Sequence, residues 1–256
     1  MDIYTEENYM KSPIGIEEQL FKFFNKNREL IIFDIGSCDG LDSIKYANYF
    51  PNSKIFAFEP ISKNVELIKK NIISYNKHNI SVFPIALCDK IGKQIFYLSS
   101  GKPEDFKNKD DWDFGNKSSS LLEPDKTKEV HKWLEFNDTE EVTTSTLLNF
   151  CFNEKISSID LIHMDVQGAE LKVLEGAGSL LKQIKMIWLE VENITLYKNQ
   201  PLKEDVEDFM TKNGYVKIKD TVNSIAGDQL WVNLKFFPKK KLTHLIWNLY
   251  SKLSSK

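Results

Sequence analysis

Ile31–Gly40 reads IIFDIGSCDG. A short apolar run closes on Asp34, and Gly36 and Gly40 bracket a polar turn holding Ser37 and Asp39. A new apolar-periodic segment then opens at Leu41. That is the order of a buried strand, a glycine-permitted tight turn and a helix start. In a doubly wound sheet such a turn lies beneath a ligand, because backbone without a Cβ approaches the bound molecule closely. The second half of the signal is Lys54–Pro60, KIFAFEP, a strand ending in Glu59-Pro60. Glu59 falls about 20 residues past the loop, where a nucleotide-binding βαβ unit sets an acid on the ribose hydroxyls. Loop and acid together imply a ribose-bearing ligand held by Asp34, Gly36, Ser37, Asp39, Gly40, Glu59 and Pro60.

The loop narrows that ligand. A dinucleotide fingerprint needs G-x-G-x-x-G, with the pyrophosphate against a helix N-terminus. Here the pattern is Asp34-x-Gly36-x-x-x-Gly40, with Asp39 inside the loop and no basic residue beside it in sequence. An acid repels a pyrophosphate and attracts an α-amino group. S-adenosylmethionine, an adenosine with a zwitterionic tail, fits better than a ligand with phosphates. Three other readings stay on the table. One is a plain strand-turn-helix with no ligand, and one is a nicotinamide-dependent oxidoreductase, which the missing middle glycine and Asp39 oppose. The third is a non-catalytic, membrane-recruited nucleotide-binding module.

The chain has 256 residues and a net charge of −3. That length suits one large α/β domain, and the charge gives no general affinity for nucleic acid. No signal-peptide pattern opens the chain and no apolar run reaches membrane-spanning length. Cys38, Cys88 and Cys151 are odd in number and lack a C-x-x-C pair, so they read as reduced thiols in a cytoplasmic protein.

Residues 1–30 read as a polar lead-in and a helix with Ile16, Leu20, Phe23 and Phe24 at helical spacing, Tyr4 and Tyr9 within reach of the ligand's mouth. A helix to about residue 50 follows the first strand. A second helix, N-capped by Ser62, runs from Pro60 to Tyr75 with Val65, Leu67 and Ile68 inward. Ile80–Leu87 reads as a third strand carrying Cys88 and Asp89 at its carboxyl end, where open α/β sheets bind ligands; Asp89 would accept from the adenine amino group or merely shape a turn. Lys93–Ser99 alternates like a hairpin strand. Residues 100–140 form an irregular, charged insertion in which Trp112, Phe114, Trp133 and Phe136 accompany Asp110, Asp111 and Asp113. It reads as a lid suited to a polyhydroxylated substrate, or as a solvated surface insertion.

Ser158–Asp165 and Lys185–Glu192 are the fourth and fifth strands, separated by a helix carrying Leu171, Val173, Leu174 and Leu180. A helix from Pro201 to Lys212 precedes a closing strand pair, Tyr215–Lys219 and Gln229–Phe236. The expected fold is α/β, a mostly parallel sheet with one antiparallel edge strand and helices on both faces. The main domain is expected over residues 31–237. The tail, residues 238–256, sets Lys239, Lys240 and Lys241 before a helix with Leu242, Leu245, Ile246, Leu249 and Leu253 on one face. It reads as a contact with the inner membrane surface, or as a helix docked on its own domain or on a second subunit of a homo-oligomer. Liposome sedimentation with and without residues 238–256 separates these.

Met164–Gly176, MDVQGAELKVLEG, carries the most specific signal. With the Asp34/Gly36/Gly40 loop, Glu59, Glu190 and the Tyr197–Pro201 stretch, it resembles the FkbM family of S-adenosylmethionine-dependent methyltransferases over roughly residues 30–220. The resemblance implies a class I methyltransferase fold of Rossmann-like type. It also implies transfer to oxygen, often on a sugar or glycoconjugate. Family members commonly carry Lys two positions before the motif's Asp, where this chain has His163, so the identity of the base stays open. Methyl transfer from a sulfonium is an in-line displacement, and a hydroxyl acceptor gains from a positioned base. Asp165, His163 and Glu190 are the expected catalytic residues, His163 and Asp165 sharing a sheet face. No metal ligand is assigned, although clustered carboxylates leave a divalent ion open. The acceptor and the hydroxyl are not named by the sequence.

Overall fold

The computed structural model describes residues 5–103 and 115–237. In chain order these form α1 (Glu6–Lys11), α2 (Glu17–Phe23), β1 (Ile31–Ile35), α3 (Leu41–Tyr49), β2 (Lys54–Phe58), α4 (Ser62–Ser74), β3 (Ile80–Phe83), β4 (Ala86–Leu87), β5 (Gly92–Ser100) and α5 (Thr127–Val130). There follow β6 (Glu135–Ser145), α6 (Leu147–Asn153), β7 (Ile159–Met164), α7 (Glu170–Gly176), β8 (Ile184–Glu192), α8 (Lys203–Lys212), β9 (Tyr215–Asp220) and β10 (Ala226–Asn233). Single 3₁₀ turns sit at Gly115–Ser118 and Gly178–Gln183. The tail (238–256), the segment 104–114 with its Asp110, Asp111, Asp113, Trp112 and Phe114, and Tyr4 lie outside the described residues.

Seven strands make the central sheet in the order β3-β2-β1-β7-β8-β10-β9. The first five are parallel, and β10 runs antiparallel to both β8 and β9, which gives the expected antiparallel edge. Successive side chains leave a strand on opposite faces, so each central strand feeds two cores. Phe33, Ile162, Ile187 and Trp231 enter the core beneath α6, α7 and α8. Ile32, Leu161, Met186 and Leu230 enter the core under α2 and α3, where Ile16, Leu20 and Phe24 of the lead-in close the sheet. Burial on both faces is why these strands are apolar over most of their length, the exceptions falling near their ends. The reversal of order at β1 and β7 opens a crevice at the carboxyl ends of the strands.

Three local expectations need correction. The apolar run 80–87 is two strands, because Pro84 lacks the ladder N–H: β3 stays in the main sheet, and β4 crosses to a second sheet of order β4-β6-β5. The second half of the supposedly irregular insertion is ordered as β6, paired with β5 from Gly92↔Thr144 to Ser100↔Glu135. Ser62 does not cap α4. It is the first helical residue, and its hydroxyl donates to Glu140 Oε1 at 2.6 Å, tying the helix to the second sheet.

Candidate active site

The loop after β1 takes the conformation its glycines were read for. Gly36 and Gly40 have φ of +85° and +77°. A Cβ on Gly36 would stand 1.9 Å from the Asp165 carbonyl oxygen, and one on Gly40 would stand 2.8 Å from Ile68. The ends of β1 and β7 are thereby drawn together, with the Asp165 N–H donating to the Ile35 carbonyl at 3.0 Å. Ser37 is a turn residue here, its hydroxyl donating to the Asp34 carbonyl at 2.8 Å.

Glu59 is buried at the end of β2 and fixed from both sides. Its Oε2 accepts from the Cys38 N–H and its Oε1 from the Ile61 N–H, each at 2.9 Å. Burial pushes its carboxyl up to about 7, against those two hydrogen bonds. A cleft opens in front of it, walled by Gly36, Pro60, Phe58, Ile61, Leu87 and Phe96. Cys88 and Asp89 are not among the cleft's lining residues. Because the chain breaks at Pro84 and crosses to the second sheet, Ala86 and Leu87 reach the cleft instead. The Cys88 sulfur accepts from Lys90 N–H and Gln94 Nε2, and Asp89 stands 4.0 Å from Lys172.

A second cavity lies across the loop, bounded by Tyr9, Asp34, Asp39, Asp42, His163 and Asp228. Asp34 and His163 are register partners on adjacent parallel strands, so they share a face. His163 Nδ1 is 3.5 Å from Asp34 Oδ1 and has no hydrogen-bond partner among the described residues. His163 therefore faces Asp34 across the β1–β7 register as well as sharing a strand face with Asp165. Burial pulls the imidazole's pKa down, and Asp42, Asp34, Asp228 and Asp165 overcome that and leave it raised. Burial lifts Asp34 to about 6 against the opposing pull of His163, and the Ser43 hydroxyl donates to its Oδ2 at 2.5 Å. Asp39 is engaged by Lys117, whose Nζ lies 3.0 Å from Oδ2.

The third cavity, between the insertion and the ends of β7 and β8, is lined by Thr127, His131, Gln167, Glu190, Glu192 and Tyr197. Gln167 Nε2 donates to Asp165 Oδ1 at 2.6 Å and to Glu190 Oε2 at 2.9 Å, so one amide spans both acids. Tyr197 donates to the Ser118 carbonyl at 2.7 Å and lies 3.3 Å from Gln167 Oε1. Burial pushes the Asp165 carboxyl up, opposed by Gln167, His163 and Lys117. Burial and then Asp165 push Glu190 well above its ordinary range and lift Glu192 to about 7. Asp165 and Lys117 line all three cavities. Among the described residues no group of three or more His, Cys, Asp or Glu is arranged to hold a metal ion.

Sequence reasoning missed Gln167, Lys117 and Glu192. Gln167 stood inside the motif as its fourth residue, a visible signal that a side chain at the β7–α7 turn faces the site. Lys117 lay in a stretch without periodicity and gave none.

The description "Methyltransferase FkbM domain" matches residues 34–217. The chain belongs to the FkbM methyltransferase family. As an FkbM methyltransferase it uses S-adenosylmethionine as donor. It is 27% identical, over 224 residues, to the 2-O-methyltransferase NoeI of Sinorhizobium fredii, covering 88% of this chain and 87% of that one. Magnesium protoporphyrin IX methyltransferase from Synechocystis PCC 6803 is 10% identical over 88% of this chain and 79% of its own, with a TM-score of 0.48. An rRNA methylase from Streptococcus thermophilus is likewise 10% identical, over 87% and 96%, with a TM-score of 0.47. The fold of this FkbM chain rests on its strand order rather than on those two likenesses.

The buried acids also set the protein's response to pH. Asp34, Glu59, Glu192 and Asp228 titrate at about 6, 7, 7 and 6 in the folded chain. Their unfolded values are near 4, so the folded state binds more protons and its stability falls as pH rises through 6 to 7. The raised imidazole of His163 acts in the same direction. Discounted for coupling, the loss between pH 5.5 and 8 is about 3 kcal/mol, or a melting temperature lower by about 6–10 °C. Scanning calorimetry of the ligand-free chain checks this; a melting temperature that rises over that interval contradicts it.

Proposed function

We propose that this methyltransferase transfers the methyl group to a hydroxyl oxygen of a sugar or glycoconjugate, with the donor astride the β1 loop and the acceptor in the Gln167–Glu190 cavity. The observation that carries the reading is the position of Asp165, a carboxylate at the junction of the three cavities and open to them. The residues present suit the donor. Glu59 is a held acceptor for two ribose hydroxyls, and Phe58, Ile61, Leu87 and Phe96 offer an apolar wall to a purine. Gly36 keeps the backbone bare between the clefts, and the acids of the second cavity suit an ammonium. When bound, S-adenosylmethionine supplies an electrophilic methyl group on a sulfonium.

The protein's own work is alignment and proton transfer. A cavity lined by carboxylates, an amide, a phenol and Thr127 matches a neutral acceptor with several hydroxyls. Asp165 takes the proton that the reacting hydroxyl loses, and its raised pKa brings its basicity closer to that task. Gln167 bridges Asp165 and Glu190, leaving Glu190 to position the acceptor. His163, on the far side of Asp165 with Asp34, acts electrostatically rather than as the base. The relative's name, 2-O-methyltransferase, agrees with transfer to oxygen.

The test is incubation of the full chain with isotopically labelled S-adenosylmethionine and a panel of glycans, phenols and amines, with products mapped by mass spectrometry. A methyl ether on a sugar is expected. Transfer confined to nitrogen or to phenols overturns the acceptor assignment.

A further inference from the structure

Lys45 stands in the second turn of α3, directly after the glycine loop, and is only 3% exposed. Its ammonium lies 3.4 Å above the centre of the Tyr9 ring, and Tyr9 is itself anchored through a 2.6 Å hydrogen bond to Asp42 Oδ1. Among the described residues no carboxylate lies within ion-pair distance of Lys45. Burial accordingly pulls its pKa down, with Asp42 and Asp39 acting the other way. A buried ammonium that has an aromatic face on one side and a cavity on the other lacks a counter-anion.

The cavity in front of it has a peculiar charge pattern. Asp34, Asp39, Asp42, Asp165 and Asp228 line it, and the cations with them are Lys45, Lys117 and the imidazole of His163. An anion entering among five acids is repelled everywhere except beside a cation with spare capacity. Lys117 is held by Asp39 at 3.0 Å, and His163 leans on Asp34. Lys45 is the place that remains. A zwitterion is the ligand such a wall selects, its ammonium toward the acids and its carboxylate toward the lysine.

We infer that Lys45, braced by the ring of Tyr9, binds the carboxylate of the donor's amino-acid tail and so selects a zwitterionic adenosyl thioether over its decarboxylated form. This deepens the donor placement under Proposed function and rests on it. It also gives the lead-in helix α1 a part in the site, because Tyr9 comes from that helix and closes the cavity over the tail.

Titration calorimetry on the full chain and on Lys45→Met and Lys45→Arg tests this, with three ligands. These are S-adenosylhomocysteine, the same thioether without its carboxylate, and 5′-methylthioadenosine, which lacks the whole tail. The unaltered chain is expected to prefer S-adenosylhomocysteine over the decarboxylated form by about 10- to 150-fold, the usual worth of a charged hydrogen bond. Lys45→Met removes that preference and leaves 5′-methylthioadenosine affinity within about twofold; Lys45→Arg keeps most of the preference. The inference is overturned if the unaltered chain binds both thioethers equally, or if Lys45→Met still discriminates between them. Failure of the unaltered chain to bind any of the three would instead overturn the donor placement.

Discussion

Asp165→Asn is expected to lower kcat by about 10³-fold while the dissociation constant for S-adenosylhomocysteine stays within about threefold. The substitution keeps an oxygen for Gln167 to donate to and removes only the capacity to take a proton. Glu190 is the rival base, since the same amide spans both acids. Glu190 lines only the third cavity, however, whereas Asp165 lines that one and both donor-side cavities. Of the two acids, Asp165 alone borders both the proposed acceptor cavity and the proposed donor cavities. Glu190→Gln is therefore expected to raise the acceptor KM more than it lowers kcat. Activity should rise with pH as the raised Asp165 carboxyl gives up its proton and becomes able to accept one. Rapid-quench measurement of one turnover separates chemistry from release. An Asn variant within tenfold of the unaltered rate would remove Asp165 as the base.

The second large effect is at the other end of the donor. Glu59→Ala should weaken S-adenosylhomocysteine binding by about 100-fold, because it removes a charged acceptor that the fold has already oriented. Part of the orientation is seen in the two backbone N–H groups that hold the carboxylate. The sign of the pH effect follows from burial. With the carboxyl at about 7, the free protein carries a proton there below that pH, and a ribose diol binds the ionised form better. Affinity should therefore improve by about tenfold from pH 6 to pH 8, and Glu59→Ala should flatten that dependence. Calorimetry in matched buffers reads both. A pH-independent affinity in the unaltered chain would mean that Glu59 does not meet the ligand.

The parts of this site that were legible in the sequence are those made by neighbours in the chain. The strand, the glycine turn and the acid at the end of β2 are each specified within ten residues, by an apolar run, a left-handed backbone or a strand terminus. The parts that were not legible are made by contact between distant segments. Residues 80–87 look like one strand carrying Cys88 and Asp89 to the ligand, yet a single Pro84 sends its end into a different sheet. Alternation along one strand sets His163 on the face of Asp165, but only the parallel register with β1 shows that Asp34 is its neighbour. Lys117 and Asp39 are 78 positions apart, and no periodicity in residues 100–140 announces that a lysine from there would return to the loop. Lys45 carries no signal in the sequence; only the aromatic ring above it and the acidic cavity before it mark it out.

In the proposed arrangement one carboxylate, Asp165, separates a donor lying over the β1 loop from an acceptor beneath the insertion. A crystal structure of the full chain with S-adenosylhomocysteine tests it most directly. The ribose hydroxyls should rest on Glu59, the adenine on the Phe58–Leu87 wall, and the sulfur should face Asp165 with the Gln167–Glu190 cavity open beyond it. A nucleoside lodged in that last cavity, or one that leaves Glu59 untouched, would contradict the account.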